Sequence, residues 1–505
     1  MLSYRQLQSG LGRRGPHLFS DFGRISSNTG GSVGAHAPKY LRSTGTRFAS
    51  SNAAPKFGSS SMFVGLAGLL GLATVGVLLI PTVNVKAPTE TTQGHASAVE
   101  IKKAIADLQT ALPGEVVTGS ICVDMSGMDQ IIEIHADDGD LVCQAGARWE
   151  DINQALHDKG IPLFFPLDPG PGATIGGMIG TGCSGTNAVR YGTARGEWFL
   201  NVTVVLPNGK VIKTRRRARK SAAGFDTTQL FIGAEGTLGI VTEATLRLAP
   251  VIPTKVAVAQ FPTVQNAVNA VQEILNSPDG PHIQCVELLD NKMMEAINAA
   301  GLVSRPYPVS DSLFLKLQGT DISIKQTAGM VQQVFKKHGS YHFEFAATEE
   351  EAAEMWENRK YALMSTISAG GEGARVWTTD VCVPVSRLPE LVYETKKDLE
   401  SVGLDKTTIV GHVGDGNFHA LIVFNSDEQL PKVSDAVHRL VHRAIALDGT
   451  CTGEHGIGVG KKEYMYDELS DDTVELMKTI KAAIDPLDIM NPDKLYPDKP
   501  ADRKH

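Results

Sequence analysis

The sequence predicts an α+β body in two parts, preceded by a single membrane-crossing helix. Three observations predict it. From Ile121 to Leu248 short β-branched and apolar runs follow one another, separated by turn residues. After Pro250 strands alternate with amphipathic helices, which suggests an antiparallel sheet with helices on one face. Before both, Met62–Ile80 contains no charged residue, and a bilayer is crossed by roughly 20 such residues. A chain of 505 residues is too long for one ordinary domain, and its 51 glycines suit a body with many tight turns.

Residues 1–60 are rich in Arg, Ser and Gly, the composition of a mitochondrial transit peptide. Residues 1–61 carry a charge of +7, so the remainder carries -15. An acidic body argues against a nucleic-acid partner and suits a basic protein partner or plain solubility. Residues 62–80 are the expected transmembrane helix, ended by Pro81. The positive flank on its N-terminal side places the body on the intermembrane-space face of the inner mitochondrial membrane. A Pro/Thr-rich linker follows over 81–97, then a helix over Ala98–Ala111 with Val99, Ile101, Ile105 and Leu108 as its apolar positions. The strand-rich region contains Ile121–Val123, Ile131–His135, Asp140–Gly146, Val202–Leu206 and Lys210–Lys213, then Gly239–Leu248. The helix Trp149–Lys159 interrupts it. The later region alternates strands at Lys255–Phe261, Ser312–Leu317, Tyr341–Ala346 and Arg375–Val383 with helices. Those helices are expected at Val264–Asn276, Ile324–Lys337, Glu349–Leu363, Leu388–Val402, Val433–Leu447 and Asp471–Ile484.

Three stretches carry chemistry. Thr407–Val410 and Leu421–Phe424 flank a polar turn containing Asp415-Gly416, a strong hairpin signal. With those two as the turn, His412 pairs with His419 and both imidazoles converge on one face. One metal ion could bind both, with Glu454 supplying a carboxylate and His455 a free base. The plainer alternative is that the histidines satisfy hydrogen bonds in a loop-rich core. Asp168–Gly192 is the densest glycine run. Gly180, Gly182 and Gly185 spell G-x-G-x-x-G, but the strand before, the helix opening and the later acid of a nicotinamide site are missing. Its composition suits backbone N–H groups close to an anion, with hydroxyls from Ser184 and Thr186. The six cysteines show no C-x-x-C pair or regular spacing, so neither a zinc ribbon nor a disulfide framework is indicated.

Asp168–Tyr191, Gly233–Thr242, the histidine hairpin and Gly453–Gly458 occur in the order seen in flavin-linked oxidases. In this the chain resembles the vanillyl-alcohol oxidase/p-cresol methylhydroxylase superfamily. Trp377–Pro384 resembles its D-lactate branch in particular. The resemblance spans about Ala98 to Pro497. It implies an FAD-binding domain of the p-cresol methylhydroxylase (PCMH) type over 98–250 and an FAD-linked oxidase C-terminal α+β cap domain over 251–497. It implies that Pro169, Gly172, Thr174, Ile175, Gly176, Gly177, Thr181, Ser184, Gly185 and Asn187 lie near the FAD phosphates and flavin. Glu235, Gly236, Gly239 and Ile240 are implied near the cofactor as well. His412, His419 and Glu454 match ligands of a divalent metal (Zn or Mn), His455 matches a catalytic base, and Arg359 matches an arginine that binds the substrate carboxylate. The implied reaction is FAD-dependent oxidation of D-lactate to pyruvate, with electrons passed to cytochrome c. D-2-hydroxyglutarate and glycolate dehydrogenases of the same superfamily are the alternative. One departure stands out. Where the family has a first FAD-binding subdomain with a Pro-x-Gly-Gly-Gly-Thr-Ser-like loop, Leu112–Ile121 passes straight across, so this domain is expected to be truncated. A third reading follows from it: a flavin-less remnant acting as a membrane-tethered metal-binding or interaction module.

Overall fold

A five-stranded antiparallel sheet is built from the short strands of the first region. Its order is Ile131–His135, Asp140–Gln144, Ile240–Arg247, Phe199–Val205 and Val211–Lys213. Leu141, Val202, Val204 and Leu246 face a core completed by Ile152 and Leu156, four apart on one side of the helix Trp149–Asp158. The computed structural model describes residues 122–498, apart from 279–282, 302 and 304–305. The predicted leader, the span 62–80, the linker, the helix Ala98–Ala111 and the crossing Leu112–Ile121 lie outside the described residues. Among the described residues no helix is long and apolar enough to cross a membrane. Cys122 and Val123, expected in a strand, are irregular.

The glycine run contains a short helix, Ile175–Thr181. Thr174 caps it, its hydroxyl accepting from the Gly177 N–H at 3.2 Å. Gly182 ends the helix with φ 66°, a left-handed cap that suits glycine. The G-x-G-x-x-G triplet therefore lies at a helix end rather than opening one, in agreement with the rejection of a nicotinamide site.

The later strands form an eight-stranded sheet in which every pairing is antiparallel. Seven lie in the order His342–Phe345, Thr254–Phe261, Asp311–Gln318, Ile283–Leu289, Thr408–Gly411, Asn417–Phe424 and Arg375–Thr378; Val381–Cys382 also pairs with Asn417–Phe424. Strand alternation sends Leu313, Leu315 and Leu317 to one face and Phe314 to the other. The first face packs the helices Val264–Leu275, Asp321–Lys337, Leu388–Ser401 and Leu430–Ala446. The second face also carries helices, Asn291–Ala300 and Glu349–Lys360, through Met293, Met294, Met355 and Trp356. The expectation of helices on one face is thus corrected.

Three other elements depart from the sequence pattern. The strand Ile283–Leu289 and the helix Asn291–Ala300 were not anticipated; all seven residues of that strand are buried, so no polar alternation marks it. The helix expected over Glu349–Leu363 breaks at Tyr361 into Glu349–Lys360 and Ala362–Gly370, with no Gly or Pro at the break to signal it. The strand expected over Arg375–Val383 is interrupted at Thr379-Asp380, where both residues serve the site instead.

Candidate functional site

The histidine hairpin supplies two strands of the large sheet, and His419, two residues before Leu421, lies on its second face. The hairpin ladder pairs Val410 with His419 and Thr408 with Leu421, two residues away from the expected register. The turn is consequently four residues, Val413–Gly416, and the His412 carbonyl accepts from Asp415 N–H at 3.0 Å. A slip of two preserves which face each side chain takes, whereas a slip of one would have reversed it. His412 and His419 therefore still converge, with ring centroids 5.6 Å apart and planes 86° apart. Their Nε2 atoms meet the same oxygen of Glu454, His412 at 3.1 Å and His419 at 3.4 Å.

The far side of each ring is tied down. His412 Nδ1 lies 2.8 Å from Glu287 Oε1, and His419 Nδ1 lies 3.0 Å from the Thr379 carbonyl. Such outer partners orient a ligating imidazole and direct its other nitrogen inward. Two imidazoles and a carboxylate around one point are a donor set suited to Zn or Mn. The charges agree. Burial opposes a positive His412, but Glu287 and Glu454 outweigh it and raise its pKa well above the ordinary value. Burial likewise opposes the Glu454 carboxylate, yet His412 and His419 hold it well below the usual range. A positive charge is favoured between the two glutamates, and either a proton or a divalent cation supplies it.

Glu287 was not anticipated. It is fully buried on the strand Ile283–Leu289 and next in register across from His412, since Gly411 pairs with Leu288. Its other oxygen accepts from Arg359 Nε at 2.8 Å and also from Nη2. The guanidinium fork expected to hold a substrate carboxylate is thus turned to Glu287. The signal available in the sequence was a lone Glu in an otherwise largely apolar run.

Asp380 is the second unanticipated residue. Its Oδ2 accepts from the N–H groups of Glu454 and His455, at 2.9 and 2.8 Å, and from the Thr452 hydroxyl at 2.9 Å. Asn417 Nδ2 donates to Oδ1 at 2.9 Å. Burial alone would raise this carboxylate's pKa, but His419, His455, Lys461 and the Glu454 N–H hold it far below the usual range. Among the described residues, ligand atoms of Asp380, His419, Glu454 and His455 also lie within 4.8 Å of one another. That set omits His412 and adds Asp380, whose oxygens already accept four bonds; we read Asp380 as the pin of the Glu454-His455 loop. His455 stacks on His419 at 5.0 Å and is 46% exposed. Burial of its ring lowers its pKa despite Asp380, which favours the neutral form a base requires.

The glycine-rich segment meets this cluster at one bond, Ser184 Oγ donating to Glu454 Oε2 at 2.6 Å. Several residues implied near a cofactor have other uses here. Ile175 and Gly176 N–H groups donate to Ala147 and Ala145 carbonyls, and Thr181 Oγ1 donates to Gly177. Asn187 Oδ1 accepts from Gln284, while its Nδ2 donates to Pro166. Glu235, at φ 52°, latches the loop after His455 through the Ile457 and Gly458 N–H groups. Gly239 packs against Val204 and Val205, and Ile240 begins a strand. Pro169, Gly172 and Gly236 remain at least partly accessible, Gly172 at φ 82° with open space around it. No acceptor is assigned to the N–H groups of Ser184, Gly185 and Thr186 among the described residues, although all three residues are buried. Unpartnered buried N–H groups beside an open glycine loop fit a polar or anionic ligand.

Two family models match the chain: "FAD binding domain" over residues 97–215 and "FAD linked oxidases, C-terminal domain" over residues 253–495. A probable mitochondrial D-lactate dehydrogenase of Danio rerio is 42% identical over 394 residues, 76% of this chain and 78% of that protein. The chain belongs to the FAD-linked oxidase family. Within that family, the mitochondrial D-lactate dehydrogenase [cytochrome] 1 of Saccharomyces cerevisiae is 45% identical over 76% of this chain, and the match spans 66% of the yeast protein's length. Glycolate oxidase subunit GlcD of Bacillus subtilis is 32% identical, over 75% of this chain and 80% of that one. Among solved structures, p-cresol methylhydroxylase with substrate bound has a TM-score of 0.56 at 18% identity, covering 75% of this chain and 80% of that chain. A 4-ethylphenol oxidase from Gulosibacter chungangensis has a TM-score of 0.59 at 16% identity, covering 73% and 78%. These likenesses establish the PCMH-type fold.

Proposed function

We propose that this FAD-linked oxidase converts D-lactate to pyruvate and passes the electrons to cytochrome c. The observation that carries the reading is the convergence of His412 and His419 on one oxygen of Glu454, beside a His455 favoured as neutral. Similarity to proteins named mitochondrial D-lactate dehydrogenase [cytochrome] supports this substrate and acceptor. When bound, FAD would accept the hydride of the Cα–H bond and a divalent metal would polarise the 2-hydroxyl. His412, His419 and Glu454 would hold the metal. His455 would take the hydroxyl proton on its ring nitrogen. Asp380 keeps the His455 backbone in place, and Glu287 fixes the His412 ring. Open Gly172 and Gly236, with the 184–186 backbone, would receive FAD; Pro169, Thr174, Gly177 and Thr181 would border it.

The compartment we propose is the mitochondrion, with the body on the intermembrane-space side of the inner membrane, held by residues 62–80. The names of the relatives support the mitochondrial part. We also propose that the FAD-binding part is shortened before Ile121. One observation favours the flavin-less alternative: the first N–H groups of helix Ile175–Thr181 are bonded within the protein. Purified chain incubated with FAD and desalted distinguishes the two. Retained flavin absorbance and cytochrome c reduction with D-lactate support the enzyme; a colourless protein that reduces no cytochrome c contradicts it. Parallel assays with glycolate and D-2-hydroxyglutarate test the choice of acid.

A further inference from the structure

We propose that His438 and His442 form a further metal site, for a divalent transition-metal ion such as zinc, on the opposite side of the large sheet from His419. The two histidines are four apart on the helix Leu430–Ala446 and therefore stand on one side of it, a turn apart. That helix packs on the first face of the sheet through Val433, Val437 and Leu440, leaving His438 exposed and His442 half-buried. Their Nε2 atoms face one another at 2.9 Å, with ring centroids 4.3 Å apart and planes 80° apart. Two nitrogens that share a tetrahedral zinc ion, each about 2.0–2.1 Å from it, stand about 3.3 Å apart. A small rotation of either ring admits the ion.

Each ring also has an oxygen on its far side. His438 Nδ1 lies 3.1 Å from the Tyr464 hydroxyl, and His442 Nδ1 lies 3.9 Å from Asp467 Oδ2. Tyr464 is itself anchored, its ring in the core of the first face and its hydroxyl bonded to Glu463. Burial and the Glu463 carboxylate raise the Tyr464 pKa, so the phenol keeps its proton. A phenol that donates to a carboxylate accepts from the imidazole. The His438 proton is then on Nδ1 and the lone pair on Nε2, toward His442. An outer partner that sets the tautomer in this way stands behind a ligating histidine. In the metal-free pair His442 Nε2–H fills that lone pair; an ion at the same point replaces the proton. Imidazole pairs suit zinc, copper or nickel rather than magnesium or calcium, and water supplies the remaining positions. The site also touches the segment that follows the Glu454-His455 loop: Tyr464 N–H donates to the Lys461 carbonyl at 3.1 Å, and Lys461 Nζ lies 3.5 Å from Asp380 Oδ2.

The test is equilibrium dialysis of the purified chain against zinc chloride at neutral pH, with bound metal counted by mass spectrometry. Wild type is compared with His438→Gln, His442→Gln and Tyr464→Phe. His157→Gln is the control, because that ring is 62% exposed on another helix, Trp149–Asp158. At saturation wild type is expected to hold one zinc ion more than either His438→Gln or His442→Gln. Taking the difference between chains removes whatever the Glu454 cluster holds, so the result does not depend on the proposed reaction. Tyr464→Phe keeps the ring packing, and is expected to retain the extra ion with about 10-fold weaker affinity, the lower end of the loss for an outer partner. His157→Gln should match wild type. Equal ion counts in wild type and both glutamine variants, the same loss in His157→Gln, or an unchanged affinity in Tyr464→Phe would overturn the inference.

Discussion

The sheet side of the site and the glycine-rich side are held by different kinds of group. On the sheet side, buried carboxylates do the holding: Glu287 grips the His412 and Arg359 side chains, and Asp380 pins the backbone of the loop bearing Glu454 and His455. The two carboxylates that do the gripping are almost inaccessible, at 0% and 1% exposure. On the glycine side the backbone dominates. Part of it is bonded within the protein, and the 184–186 stretch has N–H groups with no assigned partner among the described residues. One side is fixed by bonds within the protein before any ligand arrives, and the other is a surface that a ligand would complete.

Four substitutions or titrations probe this difference. The largest effect is expected for Glu454→Ala, which removes the oxygen shared by both imidazoles. Turnover should fall to background and the metal content to near zero, while flavin content is retained; unchanged metal by mass spectrometry would contradict the ligand assignment. Asp380→Ala leaves buried N–H groups and nearby cations without their anion, and should cost about 3–5 kcal/mol in urea unfolding. Glu235→Gln weakens the latch on Ile457 and Gly458, with an expected cost of about 1–3 kcal/mol by the same measurement. The smallest effect concerns Asp168, whose pKa burial raises to about 6 despite hydrogen bonds from Thr186 and Asn187. In the native state it retains its proton at a pH where the unfolded chain has lost it. Its contribution to stability is therefore full below the ordinary value of 3.8 and is lost as pH rises through about 6. Stability curves of wild type and Asp168→Asn should diverge across that window and run parallel above it.

The same contrast explains what was legible in the sequence. His412, His419, Glu454 and His455 were readable because ligand chemistry resides in residue identity. Their convergence survived a register error because that error was two residues rather than one. Glu287 was hidden in a strand buried on both faces, where no alternation betrays the element. Asp380 stood inside a recognised motif, but its partners lie 37 to 75 residues further on, and nothing local indicates those contacts. On the glycine side, composition indicated close backbone approach but not what approaches. Gly185 illustrates this: a Cβ there would meet the Asp168 backbone at 2.6 Å, so its glycine answers to packing within the chain. Residue type speaks for side-chain chemistry; the use of a backbone N–H depends on everything packed around it.

The most direct test of the whole account is anaerobic addition of D-lactate to the FAD-reconstituted chain while the oxidised flavin band is followed. The account predicts bleaching by D-lactate in wild type, none by L-lactate, and none in Glu454→Ala that still carries flavin. A chain that takes up no flavin, or takes it up and is not bleached by D-lactate, would contradict it.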